Sequence, residues 1–211
     1  MTPRPEDLRD RTRQYLQESA DLKLKVAETC LDSIVKVAAL ISQTFRAGGK
    51  LLLCGNGGSA ADCQHLSAEF ISVLRKEFRR PGLPAIALTT DTSFLTAYAN
   101  DFGFEGVFAH QVQALGKPGD VLIGISTSGN SANILRAVQS AKAAGLHTVV
   151  LTGTGGELHN FADLTIAVPS SDTQHIQEAH LAIEHLLCEL VERQVFPDDG
   201  EQLPGTSAMR S

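Results

Sequence analysis

The sequence predicts an open, doubly wound α/β domain, and three features of the chain lead to this prediction. Five short apolar runs have the length of strands, at residues 50–54, 84–88, 121–125, 147–152 and 164–168. Segments with helical patterns separate them, and continuously apolar strands are typical of a parallel sheet that helices cover on both faces. Glycine-rich corners follow three of the strands, at the sheet edge where such folds bind ligands.

The segments outside the strands carry helical patterns. Residues 5–47 are predicted to form one or two helices, because apolar side chains recur at steps of three and four from Cys30 to Phe45. Gly48-Gly49 then ends the pattern. Further helices are expected over 59–71, 131–144 and 173–196, with a loop and short helices between 89 and 116. We therefore divide the chain into an N-terminal helical segment, a core domain and a poorly ordered polar tail, at 1–48, 49–196 and 197–211.

Charge and cysteine usage narrow the functional classes. The net charge of -6 argues against a general nucleic-acid binder. The one basic cluster, Arg75-Lys76 with Arg79-Arg80, is interpreted as a solvated helix end. The four cysteines lack C-x-x-C spacing and are expected to be buried free thiols of a cytosolic protein. The charged N-terminus does not resemble a signal peptide, and no apolar run reaches the length of a membrane span, so we expect a cytoplasmic protein.

The first corner, residues 55–59, formally fits a dinucleotide-binding fingerprint. Gly55-Asn-Gly-Gly-Ser-Ala60 satisfies G-x-G-x-x-A. That fold needs an acidic residue about 20 positions further on, at the end of the second strand, whereas the first strand-end acid here is Asp91. Dinucleotide binding therefore stays as the weaker alternative. A P-loop is excluded because no G-K-[ST] follows, and Gly124-Ile-Ser-Thr-Ser128 lacks the last glycine of a nucleophile elbow.

The second corner, GISTSGNS at residues 124–131, predicts a phosphate site. Backbone N–H groups at a helix N-terminus are unpartnered and lie at the positive end of the helix dipole. Ser126, Thr127, Ser128 and Ser131 add hydroxyl donors, and Gly129 allows close approach of the backbone. One such residue suffices to cap a helix, so four hydroxyls favour ligand binding. The corner contains no lysine or arginine, which suits a monophosphate on a neutral sugar.

Several segments together resemble the sugar isomerase (SIS) domain family and, within it, the phosphoheptose isomerases, over about residues 20–196. These segments are CGNGGSAADCQH, PAIALTTDTS, ANDFGFE and GISTSGNSANI, which begin at residues 54, 84, 99 and 124. The resemblance implies a five-stranded SIS domain with flavodoxin-like strand order. It also implies a homotetramer with active sites at subunit contacts, in which the N-terminal helices pack on the core and on partner subunits. The implied reaction is the conversion of sedoheptulose 7-phosphate to D-glycero-D-manno-heptose 7-phosphate, which feeds nucleotide-activated heptose for lipopolysaccharide biosynthesis.

The chemistry of an aldose–ketose isomerase requires groups that move protons at carbon and at oxygen, and histidine with a carboxylate is the usual pair. His65 and Glu69 lie four residues apart on one helix face, while Gln177 and His185 lie about two turns apart on the last helix. By resemblance, these four residues bind zinc, and Glu69 and His185 form the acid/base pair. We expect His185 to move the carbon-bound proton and Glu69 to act at oxygen, with zinc either polarising the carbonyl or marking a resting state. The resemblance also assigns substrate contacts to Asn56, Gly57, Gly58, Ser59, Glu69, Asn100, Asp101, Ser126, Thr127, Ser128, Ser131 and Gln177.

One departure from the family pattern keeps alternatives open. Phosphoheptose isomerases carry a substrate-contacting arginine where this chain has Val73, and Arg75 could replace it from a nearby turn. An isomerase of a different sugar phosphate is therefore one alternative. Another is a non-enzymatic SIS protein that binds the replication initiator, but that protein lacks the helix carboxylate that Glu69 supplies here. Sugar-phosphate sensors of the family carry a fused DNA-binding domain, which the first 50 residues do not resemble.

The other histidines are interpreted as packed or surface residues: His110, His147, His159 and His175. His180 is interpreted in the same way, although it lies closer to the functional face of the last helix.

Overall fold

The computed structural model describes residues 4–76 and 78–197, so the predicted tail lies outside the described residues except for Pro197. The N-terminal segment forms two helices, α1 (Pro5–Thr29) and α2 (Leu31–Arg46), and not one. The break falls at Cys30, whose Sγ donates to the carbonyl oxygen of Ala167 on the last strand. The remaining elements are β1 (Leu51–Gly55), α3 (Gly58–Ile71), β2 (Ala85–Ala87), α4 (Thr92–Phe102), α5 (Val107–Leu115), β3 (Val121–Ser126), α6 (Ala132–Ala143), β4 (His147–Thr152), β5 (Leu164–Ala167) and α7 (Thr173–Val195).

The five strands form one parallel sheet in the order β2-β1-β3-β4-β5, which confirms the doubly wound fold and its flavodoxin-like order. From β1 the chain crosses outward to β2, and it then returns to add β3 on the other side of β1. The carboxyl ends of β1 and β3 therefore form the switch point of the sheet, where ligands bind in such folds. Gly55 pairs in register with Ile125, so the first and second corners leave the sheet side by side.

Two hydrophobic layers cover the sheet. One contains α1, α2, α3 and α7, and it packs on strand side chains such as Leu51, Leu53 and Ile123. The other contains α5 and α6, and it packs on the alternate side chains Leu52 and Leu122, with α4 partly buried at its margin. Because α3 and α7 lie in the same layer and contact each other, side chains on their facing surfaces can meet.

The interpretation of the basic cluster as a solvated helix end is wrong for Arg80. After α3 ends at Ile71, the chain folds back, and the backbone N–H of Leu83 donates to the carbonyl oxygen of Phe70. This return places the Arg80 side chain, only 1% exposed, against Glu192 of α7. The exposed residues Arg75, Lys76 and Arg79 do face solvent.

Two expectations drawn from composition can be compared with the structure. All four cysteines are buried and free, as predicted. Among the described residues, no helix combines the length and the apolarity that crossing a membrane requires.

Candidate active site

The first two corners are tied together by a pair of asparagine side chains. Asn56 Nδ2 donates to Asn133 Oδ1 at 2.9 Å, and Asn133 Nδ2 donates back to Asn56 Oδ1 at 2.8 Å. Asn133 is buried in the first turn of α6, and its Oδ1 also accepts the backbone N–H of Ile134. These two hydrogen bonds between the amide side chains fix the start of α3 beside the start of α6. The two corners therefore form one wall of a single site.

The hydroxyl groups of the second corner face one another and do not cap the helix. Ser126 Oγ lies 2.9 Å from Ser131 Oγ and 3.5 Å from Ser128 Oγ. Ser131 occupies the N-cap position of α6, but its side chain accepts no bond from the helix backbone. The capping explanation for these hydroxyl groups is thereby weakened, because the backbone N–H that is bonded in the first turn of α6, that of Ile134, donates to Asn133 and not to a serine.

The third corner, residues 153–156, packs on the second and supports its shape. The carbonyl oxygen of Gly129 accepts backbone N–H bonds from Glu157 and Leu158, and Gly153 N–H donates to the carbonyl oxygen of Thr127. Gly129 has a φ of +66°, and a Cβ placed there would overlap the Gly155 carbonyl oxygen. Only glycine fits this position, for both conformational and steric reasons.

A cluster of possible metal ligands lies between α3 and α7. His65 and Glu69 project from α3 and His185 from α7, and their ligand atoms all lie within 4.8 Å of one another. His65 Nε2 lies 2.7 Å from His185 Nε2 and 3.7 Å from Glu69 Oε1. None of the three side chains is buried. Two imidazole nitrogens and one carboxylate are a donor set that zinc takes at catalytic sites, where a further coordination position stays open, so these residues fit a zinc ion.

The fourth predicted ligand, Gln177, belongs to α7, and its side chain lies against the start of α3. Its amide group covers Gly58 so closely that a Cβ on Gly58 would overlap it. The same amide neighbours Asp62: burial raises the pKa of the Asp62 carboxyl, and hydrogen bonding from Gln177 partly opposes that rise. The structure thus brings Gln177 to the beginning of the helix that carries His65 and Glu69.

Two ionisable groups of α7 are buried behind this surface. His180 is fully buried with Nε2 3.2 Å from the Thr152 carbonyl oxygen, and burial lowers its pKa to about 4, so it is a packed and neutral histidine. Glu184 is fully buried with neither carboxyl oxygen hydrogen-bonded, and burial together with the nearby Asp62 carboxyl raises its pKa to about 9. Glu184 was not predicted from the sequence as a buried or functional residue.

Four other predicted residues lie outside the corners and the cluster. Asn100 and Asp101 are exposed at the end of α4, in the other layer, where Asn100 Nδ2 donates to Asp101 Oδ1 at 2.8 Å. Val73 is half-buried in the segment after α3. Arg75, the candidate substitute for the family arginine, pairs through Nη2 with Glu189 Oε2 at 3.0 Å, one turn of α7 beyond His185.

Three residues that shape the site were not predicted from the sequence: Asp62, Asn133 and Arg80. Asp62 precedes Glu69 by seven positions, and this spacing could have placed it on the same face of α3. Asn133 follows Ser131 closely and could have been counted with the second corner. Arg80 carries no local signal, because its partner Glu192 lies 112 residues away in the chain.

Comparisons with known proteins agree with this geometry. The SIS domain family model matches residues 14–153. A phosphoheptose isomerase of Roseiflexus sp. (strain RS-1) is 55% identical over 184 residues, which cover 87% of this chain and 92% of that protein. One of Aquifex aeolicus is 51% identical and covers 88% of this chain and 97% of that protein. The solved structure of a phosphoheptose isomerase from Neisseria gonorrhoeae has a TM-score of 0.82 and 43% identity, covering 87% of this chain and 98% of that one.

A family model spanning most of the core, relatives of the same name above 50% identity, and a shared fold all point the same way. The chain belongs to the SIS domain family and, within it, to the phosphoheptose isomerases.

Proposed function

We propose that this protein converts sedoheptulose 7-phosphate to D-glycero-D-manno-heptose 7-phosphate through an enediol intermediate. The observation that carries the proposal is the arrangement of α3, which begins at the first corner and bears His65 and Glu69 further along. At 1.5 Å per residue, His65 lies about 10 Å along the helix from Gly58. An extended sugar phosphate can span that length, with its phosphate at the second corner and its carbonyl end near the cluster.

In this pose the second corner binds the phosphate through backbone N–H groups and serine hydroxyls. His185 removes the proton bound to carbon, and Glu69 carries a proton between the two adjacent oxygens. His65, Glu69, Gln177 and His185 would hold one zinc ion per subunit, which would supply Lewis-acid polarisation of the carbonyl. Zinc binding weakens both an imidazole and a carboxylate as bases, so His185 and Glu69 would move protons when the ion does not occupy their lone pairs, and the bound ion would otherwise mark a resting state.

The experiment is proton exchange followed by NMR. The protein is incubated with sedoheptulose 7-phosphate in deuterated water, once with zinc and once with a chelator. Deuterium at the carbon next to the carbonyl, together with the aldose, is the expected result. His185→Asn is expected to abolish exchange, whereas His147→Asn, at the exposed start of β4, serves as the matched histidine control. No exchange in the wild type with or without zinc would favour another sugar phosphate, consistent with Val73, or the SIS protein that binds a replication initiator.

A second variant tests the role of Glu69. Glu69→Gln is expected to abolish turnover while binding of the phosphate ester survives, because the second corner is unchanged. Loss of ester binding as well would assign Glu69 a structural or metal-binding role instead of proton transfer.

We further propose that the active form is a homotetramer with sites at subunit contacts. Support comes from α4, which has no buried residue in the single chain and whose last residue, Phe102, is 74% exposed. Asn100 and Asp101 would then reach the site of a neighbouring subunit. Mixing inactive Glu69→Gln and Asp101→Ala subunits should restore part of the activity if each site draws on two chains, and should restore none if each site lies within one chain.

The free buried thiols support a reducing cytoplasm as the location, and the proposed product would feed nucleotide-activated heptose for lipopolysaccharide biosynthesis.

A further inference from the structure

The His65, Glu69 and His185 cluster depends on the separation of two helices, and a buried arginine spans them. Arg80 Nε donates to Glu192 Oε1 of α7 at 2.8 Å. Its Nη2 donates to the carbonyl oxygen of Glu69 at 2.9 Å, and its Nη1 donates to that of Phe70 at 2.7 Å and to that of Pro81 at 3.1 Å. One planar guanidinium therefore holds the last turn of α3 and the side of α7 at once.

The chemistry of a helix end explains why an arginine suits this place. The last carbonyl groups of a helix have no partner within it and carry partial negative charge, which a cation stabilises. A guanidinium presents several N–H donors in a fixed fork, so it can bind the two carbonyls of the helix end, a third carbonyl beside them and a carboxylate with defined geometry. A lysine ammonium is a compact charge on a flexible stem and cannot fix the same three directions.

The partner of Arg80 strengthens the connection between the helices. Glu192, 5% exposed, balances the buried positive charge, which would be costly alone. Its Oε1 also accepts the backbone N–H of Leu74 at 3.2 Å, in the segment that leaves α3. Glu192 lies seven residues, about two turns, beyond His185 on α7. The Arg80–Glu192 pair thus joins the backbone of Glu69 to the helix that bears His185.

We propose that Arg80 is a positioning residue for the isomerase: it sets the α3–α7 separation that brings Glu69 and His65 to His185. The activity part of this inference rests on the proposed function, while the geometric part does not. Arg80 touches neither substrate nor metal in this assignment. It acts through the carbonyl of Glu69 and through Glu192.

The test separates positioning from stability with a double variant. Arg80→Met with Glu192→Met replaces the buried ion pair by apolar side chains of similar volume, a change that often leaves stability equal or higher. We expect this variant to stay folded, with kcat lowered about 10- to 100-fold and zinc affinity lowered similarly, as for outer-shell partners of metal ligands. KM should change little, because the second corner is untouched. Arg80→Lys, which keeps the charge without the fork, should recover only part of kcat.

A control removes another ion pair that bonds neither α3 nor α7. Lys50→Met breaks the Lys50–Asp120 pair, which joins the segments before β1 and β3, and it should cost stability while leaving kcat and zinc affinity unchanged. A kcat and a zinc affinity equal to those of the wild type in the Arg80→Met, Glu192→Met protein would overturn the proposal and leave Arg80 a structural role only.

A third measurement does not depend on the proposed function. Crystal structures of the wild type and the double variant, both treated with chelator, give the distance from His65 Nε2 to His185 Nε2. We expect it to lengthen beyond 2.7 Å in the variant. An unchanged distance would refute the positioning role even if the wild type lacked isomerase activity, whereas a lengthened distance with no wild-type turnover would refute only the proposed function.

Discussion

Replacing Glu184 by methionine should stabilise the protein, and the gain should depend on pH. Glu184 is fully buried between α3 and α7, neither of its carboxyl oxygens is hydrogen-bonded, and the nearby Asp62 carboxyl disfavours its ionisation. Burial raises its pKa from an ordinary value of 4.5 to about 9. The folded chain therefore keeps this proton at neutral pH, and the unfolded chain releases it.

The sign and the size of the effect follow from linkage. Between pH 4.5 and 9 the folded state binds one proton more than the unfolded state, so the free energy of unfolding falls as pH rises through this window. At pH 7.5, three pH units above the ordinary pKa, the loss is about 4 kcal/mol, at about 1.4 kcal/mol per unit. An unpaired buried carboxyl costs a further 1–3 kcal/mol or so even when it is neutral. Methionine has similar volume and adapts to its surroundings, so Glu184→Met removes both costs.

The assay is denaturant unfolding of the chelated protein at one subunit concentration and at pH 5.5, 6.5 and 7.5. The free energy of unfolding of Glu184→Met should exceed that of the wild type by an amount that grows by about 1.4 kcal/mol per pH unit. Glu28→Gln, an exposed change on α1, is the control and should show no such slope. A gain that is the same at every pH, or a variant less stable than the wild type at pH 7.5, would refute the reasoning.

Three further substitutions test other parts of the site. His180→Gln should make the free energy of unfolding less sensitive to acid. Burial lowers the pKa of His180 from an ordinary 6.5 to about 4, so the wild type loses stability as the pH falls below 6.5. Between pH 6.5 and pH 5 the wild type should lose about 2 kcal/mol more than the variant, as measured by urea unfolding. Gly129→Ala should raise KM for the sugar phosphate about tenfold or more, because φ is +66° and Cβ overlaps the Gly155 carbonyl; an unchanged KM would exclude the second corner from phosphate binding. Gly58→Ala should displace the Gln177 amide and weaken zinc binding, measured by competition with a chelator. If this variant and Gln177→Ala both bind zinc as tightly as the wild type, Gln177 is not a zinc ligand.

Local patterns predicted most of the fold. Each apolar run became a strand within one or two residues of its expected bounds, and Gly48-Gly49 marks the end of the second helix as expected. The order of the strands came from family resemblance, because apolar runs alone do not say which strands pair. The sequence does not decide between one helix and two at Cys30, because the helical pattern continues through it, whereas the structure shows a break in the backbone there, with φ at -109°.

The sequence predicts the side chains that could carry the chemistry of the candidate site, but not the buried residues that hold them in place. Spacing placed His65 and Glu69 on one helix face, and the structure adds His185 from another helix within hydrogen-bonding distance of His65. Arg80 was misread because charge patterning describes neighbours in sequence, whereas its burial depends on a carboxylate 112 residues later. Glu184 was not predicted for a similar reason. A glutamate on a helix is ordinarily expected at the surface, and only the packing of α3 against α7 shows that this one is buried.

α3 and α7 contribute different parts of the site. We therefore expect some changes to alter substrate binding and others to alter the chemical step. α3 begins at the first corner, which the hydrogen bonds between Asn56 and Asn133 join to the second corner, and further along it carries His65 and Glu69. Under the proposed function, a shift of α3 along its axis would therefore disturb phosphate binding and proton transfer together. α7 contacts the start of α3 through Gln177 and supplies His185 to the cluster, so a change in its separation from α3 should alter the proposed chemistry while the second corner stays intact. Variants that act through α7, such as those at Glu192, should lower kcat more than they raise KM.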